Sequence, residues 1–354
     1  MDDSVKDKLY REIQSFFSSN TVLVVGSGLS CAEGLPGMWG LAAELIKKVP
    51  EEIKEDSLRQ WDNIKNDLLN NEGLVKDDAN LEATLLKYPP NEDIEVAIRK
   101  VTTNYIKEEE RQVIHRVTTG ENKLRFSNFI KRFRIPETGL VVICTNYDRL
   151  IEIACEVEGI PVDNLFYGKN ISELNEKRSQ MSFCERVERS GKVVRKVFTK
   201  KVLIYKPHGC LNWYWSNGKP ISTAIDLNIE RLIITPGANK YRNGYDTPFD
   251  IHRAKANIAI DTASKFIIIG YGFNDEHLET HLKRRIMNGI PTLVLTRTLS
   301  DNTKKIIEGK GNVIALSYFE GGGCSGTEVF YRDNTYRING VDLWDIDKLN
   351  EAVF

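Results

Sequence analysis

None of the six cysteines (31, 144, 155, 184, 210 and 324) forms a C-x-x-C pair with another. Thiols scattered in this way argue against a disulfide framework and fit a reducing compartment, so a cytoplasmic protein is expected. An excess of charge is missing too. The 49 Lys+Arg against 50 Asp+Glu leave a net charge of −1, and no global field draws the chain to nucleic acid or membrane. No apolar run approaches the ~20 residues of a membrane span. The amino end, MDDSVKDKLYREIQSFF, lacks the unbroken apolar core of a secretion signal and shows helical spacing, so it reads as a packed helix. Every Gly-Lys pair (168, 191, 218 and 309) continues with Asn, Val, Pro or Gly. There is therefore no G-K-[ST] phosphate loop and no internal ATPase.

What is present centres on Thr21 to Leu45, TVLVVGSGLSCAEGLPGMWGLAAEL. Its β-branched start, Thr21 to Val25, reads as a fully buried strand. Gly26-Ser27-Gly28 reads as a tight turn, Gly34-Leu35-Pro36-Gly37 as a second break, and Met38 to Lys47 as a helix. Glycines at a strand's carboxyl end let backbone N–H groups approach a phosphate, and a helix end adds a positive dipole. The dinucleotide fingerprint G-x-G-x-x-G nevertheless fails, because its third glycine falls on Cys31. A dinucleotide site of another build is expected, and the failed fingerprint argues against an oxidoreductase.

A chain of 354 residues can bury one large core plus an insertion, or two modest domains. Residues 49–136 turn acidic and helical, with Leu58, Trp61, Ile64 and Leu68, then Ile94, Ile98, Val101 and Tyr105, at helical spacing. They read as an α-helical insertion, and Lys107 to Arg111 as a solvated face. Beyond Pro136, apolar runs at 140–144, 202–205, 232–234, 266–269, 292–295 and 313–316 alternate with helical patterns. That alternation predicts an α/β fold, a Rossmann-like doubly wound parallel sheet with an α-helical insertion. The expected division is 1–48 and 137–317 for the sheet, 49–136 for the insertion and 318–354 for a tail with a hairpin across Asp333-Asn334. Residues 168–201 hold ten Lys/Arg against four Glu. Without interleaved aromatics they read as a solvated flap, and direct nucleic-acid binding is not expected.

Three loops resemble those of the sirtuin NAD-binding fold. Its G-A-G-x-S-x-x-x-G-I-P loop is matched by Gly26-Ser27-Gly28-Leu29-Ser30 with Gly34-Leu35-Pro36. Its T-Q-N-I-D loop is matched by Thr145-Asn146-Tyr147-Asp148, and its catalytic His-Gly by His208-Gly209. A later glycine turn falls on Gly270-Tyr271-Gly272. The chain departs from deacylating sirtuins at Gly37-Met38-Trp39, where they continue D-F-R, at Thr296 in place of an asparagine, and in lacking the paired cysteines of their zinc module. It is closer to a sirtuin-like branch of bacterial antiphage defence, with its G-L-P-x-x-W, T-N-Y-D, P-H-G and G-Y-G-F-N-D motifs. That resemblance implies an NAD+ glycohydrolase acting in abortive infection, a homo-oligomer paired in trans with a HerA-type ATPase. It places Gly26, Ser27, Gly28, Ser30, Pro36, Thr145, Asp148, Gly270, Tyr271 and Gly272 around NAD+, with Asp148 on the nicotinamide carboxamide.

Cleavage of the nicotinamide–ribose bond expels a neutral ring and leaves an oxocarbenium-like ribose, as in glycoside cleavage. An imidazole, with a reference pKa of about 6.5, suits a base toward water or a ribose hydroxyl, and His208 is the candidate. Asn146 offers a donor and an acceptor to fix that water or the ribose. Asn146-Tyr147-Asp148 could instead be a plain helix cap, and Pro-His-Gly a turn. Trp39 could pack the first helix or touch a ligand. His277 and His281 share one helix face at i, i+4, but Leu278 stands where a zinc protease needs Glu and no third ligand offers itself, so no metal is expected. An NAD-dependent protein deacylase, or a module that senses NAD or ADP-ribose without turnover, remains the alternative.

Overall fold

Strand β1 (Thr21–Val25) is buried along its whole length, as expected of a β-branched strand covered on both faces. The computed structural model describes residues 2–76, 79–237, 246–273 and 276–354, with the side chains of 276 and 277 outside the description. Around β1 lie β2 (Leu140–Cys144), β3 (Val162–Asp163), β4 (Val202–Tyr205), β5 (Lys265–Ile269), β6 (Thr292–Leu295), β7 (Val313–Gly321), β8 (Cys324–Tyr331) and β9 (Asn334–Asn339). They form one sheet in the order β9-β8-β7-β6-β5-β1-β2-β4-β3. From β3 to β7 every pairing is parallel. The chain runs outward from β1 through β2 and β4, then returns to lay β5 on β1's other side. That reversal opens a crevice at the carboxyl ends of β1 and β5, where doubly wound sheets take their ligands.

Alternation along the strands feeds two cores. Leu23 and Val25 join Val142, Leu293 and Leu316 on one face, and Val22 and Val24 join Ile143, Ile268 and Val294 on the other. The first face is covered by helices Asp3–Gln14, Arg125–Ile130, Leu150–Val157 and Ile346–Val353, and the second by Phe249–Thr262, Glu276–Met287 and Asp301–Ile307. Helix Met38–Lys48 joins helices Glu55–Leu68, Leu81–Lys87 and Glu92–Thr118 in a third cluster built on Trp61, Ile64, Leu68, Ile94, Ile98 and Val101. Leu58 keeps the spacing yet faces outward. Among the described residues no helix is long and apolar enough to cross a membrane.

Three expectations change. Leu232 and Ile233 leave the parallel series for a five-stranded antiparallel sheet with Gly209–Ser216, Lys219–Ser222, Ser172–Leu174 and Phe166–Tyr167. Gly209 causes this. Its φ of +86° turns the chain back just past β4, and a Cβ there would stand 2.1 Å from the Leu232 carbonyl oxygen. The tail with its hairpin, placed outside the sheet at 318–354, instead extends the main sheet through β8 and β9. Helix Ile346–Val353 then brings Leu349 into the first core. Its turn is Arg332-Asp333, one residue earlier than expected, with φ of +50° and +60°, the left-handed pair that matches strand twist in two-residue hairpins. The basic segment 168–201 holds helix Glu176–Ser182 and a separate hairpin, Cys184–Ser190 with Val193–Phe198.

Candidate active site

The glycine loop is not the tight turn its sequence suggests. Gly26 caps a short helix, Ser27–Ala32. That helix ends at Gly34 (φ +103°), where the Gly34 and Leu35 N–H groups donate to the carbonyls of Cys31 and Ser30, each at 3.0 Å. This paired capping pattern calls for glycine. Gly26 and Gly28 are small for another reason, since the loop crosses the one that follows β5. A Cβ on Gly26 would stand 2.5 Å from the Gly270 carbonyl oxygen, and one on Gly28 2.7 Å from the Gly270 Cα. The Gly28 N–H donates to that same Gly270 oxygen at 3.0 Å.

After β2, Thr145 stays bonded to β1 through its N–H and the Val25 carbonyl (3.0 Å). Asn146 then turns inward. Its Nδ2 donates to the Gly26 carbonyl at 2.9 Å and to Ser30 Oγ at 2.8 Å. Ser30 Oγ in turn donates to Asp148 Oδ2 at 2.7 Å, and Asp148 Oδ1 accepts the Leu150 N–H at 3.1 Å. The donor half of Asn146 is thus committed within the protein, and Oδ1 is the atom it has left for a ligand. Burial raises the Asp148 pKa, while Lys206 and the Ser30 hydroxyl act against it. Next in sequence, Arg149 grips Glu110 of helix Glu92–Thr118, with Nη2 at 2.6 Å from Oε2 and the main-chain N–H at 2.6 Å from Oε1. Glu110 is 1% exposed, so one member of the run read as a solvated face is a buried strut beneath the Asp148 loop.

His208 lies between β4 and Gly209. Its Nδ1 sits 3.3 Å from the Thr145 carbonyl, which can only accept, so the proton resides on Nδ1 and Nε2 is the basic nitrogen. Two residues earlier, Lys206 is fully buried. Its Nζ donates to the Asp148 carbonyl and to Glu152 Oε1 at 3.1 Å. Burial opposes that charge, but the surrounding Cys210, Glu152, Cys144 and Asp148 hold its pKa well above that of an ordinary lysine.

Behind Lys206, His252 is packed against Trp213 with centroids 4.5 Å apart. Its Nδ1 accepts the Lys206 N–H at 3.2 Å. Burial, and then the Lys206 charge, push its pKa down to about 3. An unfolded chain protonates histidine near pH 6.5, whereas folded His252 resists until about pH 3. Stability from this residue is therefore complete above about pH 6.5 and is lost as pH falls through that window. Urea melts should show a loss that steepens below pH 6.5 to about 1.4 kcal/mol per pH unit by about pH 5, and His252→Phe should flatten that slope. An unchanged slope would assign the loss to other groups.

Gly26, Ser27, Ser30, Pro36, Thr145, Asn146, Asp148, His208, Gly270, Tyr271 and Gly272 line one cleft at the switch point. Of the residues the resemblance places around NAD+, Gly28 is the one absent from that lining, being packed under Gly270. The cleft encloses about 190 Å³ and opens to solvent at its mouth. Sequence reading missed Glu82 and Ile106, which reach the lining from the helical insertion, and Pro236, none of which any motif marks; Tyr147 also lines it, inside the quoted motif but given no role there. Met38 lines the cleft, whereas neighbouring Trp39 is 54% exposed. Among the described residues there is no group of three or more His, Cys, Asp or Glu able to hold a metal. His281 Nδ1 faces Asp261 at 3.0 Å, while the His277 side chain and Asn274-Asp275 lie outside the described residues.

No curated protein matches the chain in sequence. Among solved structures, one concerning sirtuin substrate affinity is 14% identical, covering 86% of this chain and 91% of that one, with a TM-score of 0.36. Sir2Tm bound to a propionylated peptide is 13% identical over 86% and 90%, with a TM-score of 0.38. A Sir2 mutant with a p53 peptide and NAD is 10% identical over 100% and 97%, with a TM-score of 0.40. Residues 140–305, the stretch that carries Asn146, Asp148, His208 and Gly270, match the family described as the SIR2-like domain.

Proposed function

We propose that the cleft binds NAD+ and hydrolyses its nicotinamide–ribose bond, releasing nicotinamide and ADP-ribose. The match to the SIR2-like domain supports an NAD-using enzyme. The observation that carries the finer reading is the bonded chain Asn146–Ser30–Asp148 set beside His208 in one cleft. Nicotinamide leaves with the electron pair of the broken C–N bond, so its departure requires no acid. A water held by Asn146 Oδ1 adds to the ribose carbon, and its proton passes to His208 Nε2. The Asp148 carboxylate, an acceptor, would hold the carboxamide N–H of the nicotinamide. Gly26, Ser27 and Ser30 would face the pyrophosphate, with Gly28 supporting them from behind.

Incubation with NAD+, alone and with an acetylated peptide, tests this reading. The expected products are nicotinamide and ADP-ribose in both cases. O-acetyl-ADP-ribose formed from the peptide would establish a deacylase instead, and tight NAD+ binding with no product would establish a sensor. Activity should also survive exhaustive chelation with EDTA, because a neutral leaving group needs no Lewis acid. Loss under EDTA that zinc restores would overturn that step and bring back His277 and His281. The setting proposed for this activity is antiviral. Unrestrained NAD+ hydrolysis would starve the host, so the effector is gated by assembly and by a HerA-type ATPase acting in trans. Full activity of a monomer, indifferent to any co-encoded ATPase, would rule out that gating.

A further inference from the structure

Charge in this neutral chain is segregated at opposite ends of the fold. Residues 49–98 hold thirteen Asp/Glu against five Lys/Arg, while the hairpin 184–198 holds five Lys/Arg against two Glu. The acidic helices stand over the carboxyl ends of the strands, since Glu82 lines the cleft and Leu85 lies against Gly237. The basic hairpin hangs from the other end. Its root precedes β4, where Lys201 pairs with Asp163 at 2.9 Å and lies 4.2 Å from the Phe183 ring and 5.7 Å from the Phe198 ring. Arg195 meets Glu137 ahead of β2.

Among the described residues the two strands of the hairpin pair only with each other, an arrangement of marginal stability in water by itself. Cross-strand register places Val187 opposite Lys196 and Arg189 opposite Val194. These four residues share one face and set two cations beside two largely exposed valines. The acidic end offers the complement. Glu55, Leu58 and Asp62 lie exposed at helical spacing on helix Glu55–Leu68, with the single cation Arg59 exposed between them, and Glu92 and Val96 lie exposed on the next long helix.

We infer that the hairpin is a docking arm whose basic, apolar face seats on the acidic helical end of a second copy of this chain. Because the two patches are different surfaces at opposite ends, the contact is head-to-tail and builds a ring or a filament rather than a two-fold dimer. Attraction between opposite charges sets its register and makes it sensitive to salt.

Sedimentation of the full chain tests this. Species larger than a monomer are expected at about 0.1 M salt and should dissociate toward about 1 M, as the Debye length falls from about 10 Å to about 3 Å. Arg189→Glu with Lys196→Glu should weaken assembly about tenfold or more, through like charges brought together. Glu55→Lys with Asp62→Lys should do the same, and mixing the two reversed variants should restore a mixed assembly. All four positions are exposed, so circular dichroism should show every variant folded. A wild-type monomer at low salt, an assembly indifferent to arm reversal, or an arm that binds only nucleic acid would each overturn the inference.

Discussion

His208→Ala is expected to cut nicotinamide release by ~10²–10⁴, the usual consequence of losing one general base, while the fold stays intact. The expectation rests on geometry. The imidazole Nδ1 sits 3.3 Å from the Thr145 carbonyl, and the His208 main chain is fixed separately by the Ile234 N–H bonded to its carbonyl at 2.9 Å. Truncation removes the base and leaves the backbone anchored. Asn146→Ala should be as damaging to turnover but less innocent structurally, since Nδ2 joins the Gly26 carbonyl to Ser30. Thermal melts alongside the product assay separate the two effects. His208→Ala at near-wild-type turnover would show that another group receives the proton.

The sheet was legible because its signal is local. Runs such as Val22 to Val25 and Ile267 to Ile269 are β-branched and bounded by glycine, and burial on both faces permits little else. The motif loops were legible for a related reason, as each sits at the carboxyl end of such a run. What escaped depends on contacts remote in sequence. Glu110 looks like one charge among several in Lys107 to Arg111, and only the fold sets it against Arg149, 39 residues on. Gly28 looks like a phosphate-binding residue, and its closest demand comes from Gly270. The tail was expected outside the sheet because β8 and β9 carry few long apolar runs. Val329 and Leu349 nevertheless complete the first core.

Lys206→Met should cost both stability and catalysis, by separable routes. In the native protein Lys206 is wholly buried and joins three parts of the site: the end of β4 that bears His208, the main-chain carbonyl of Asp148, and Glu152 on helix Leu150–Val157. Removing the ammonium leaves the largely buried Glu152 carboxylate without the cation at Oε1, and Oε2 has no hydrogen-bond partner among the described residues. Breaking a buried pair in this way costs about 3–5 kcal/mol, measurable by urea unfolding. Adding Glu152→Met removes the orphaned charge and should recover most of that stability, since matched apolar replacement of such pairs is often neutral. Activity should not return with it, because the Asp148 carbonyl still lacks the donor that positions its loop. The Lys206 charge also works against the burial that raises the Asp148 pKa. Without it the carboxyl holds its proton to higher pH, and residual turnover should climb as pH is raised. A double variant that regained stability and activity together would reduce Lys206 to a counter-ion for Glu152, with no part in positioning Asp148.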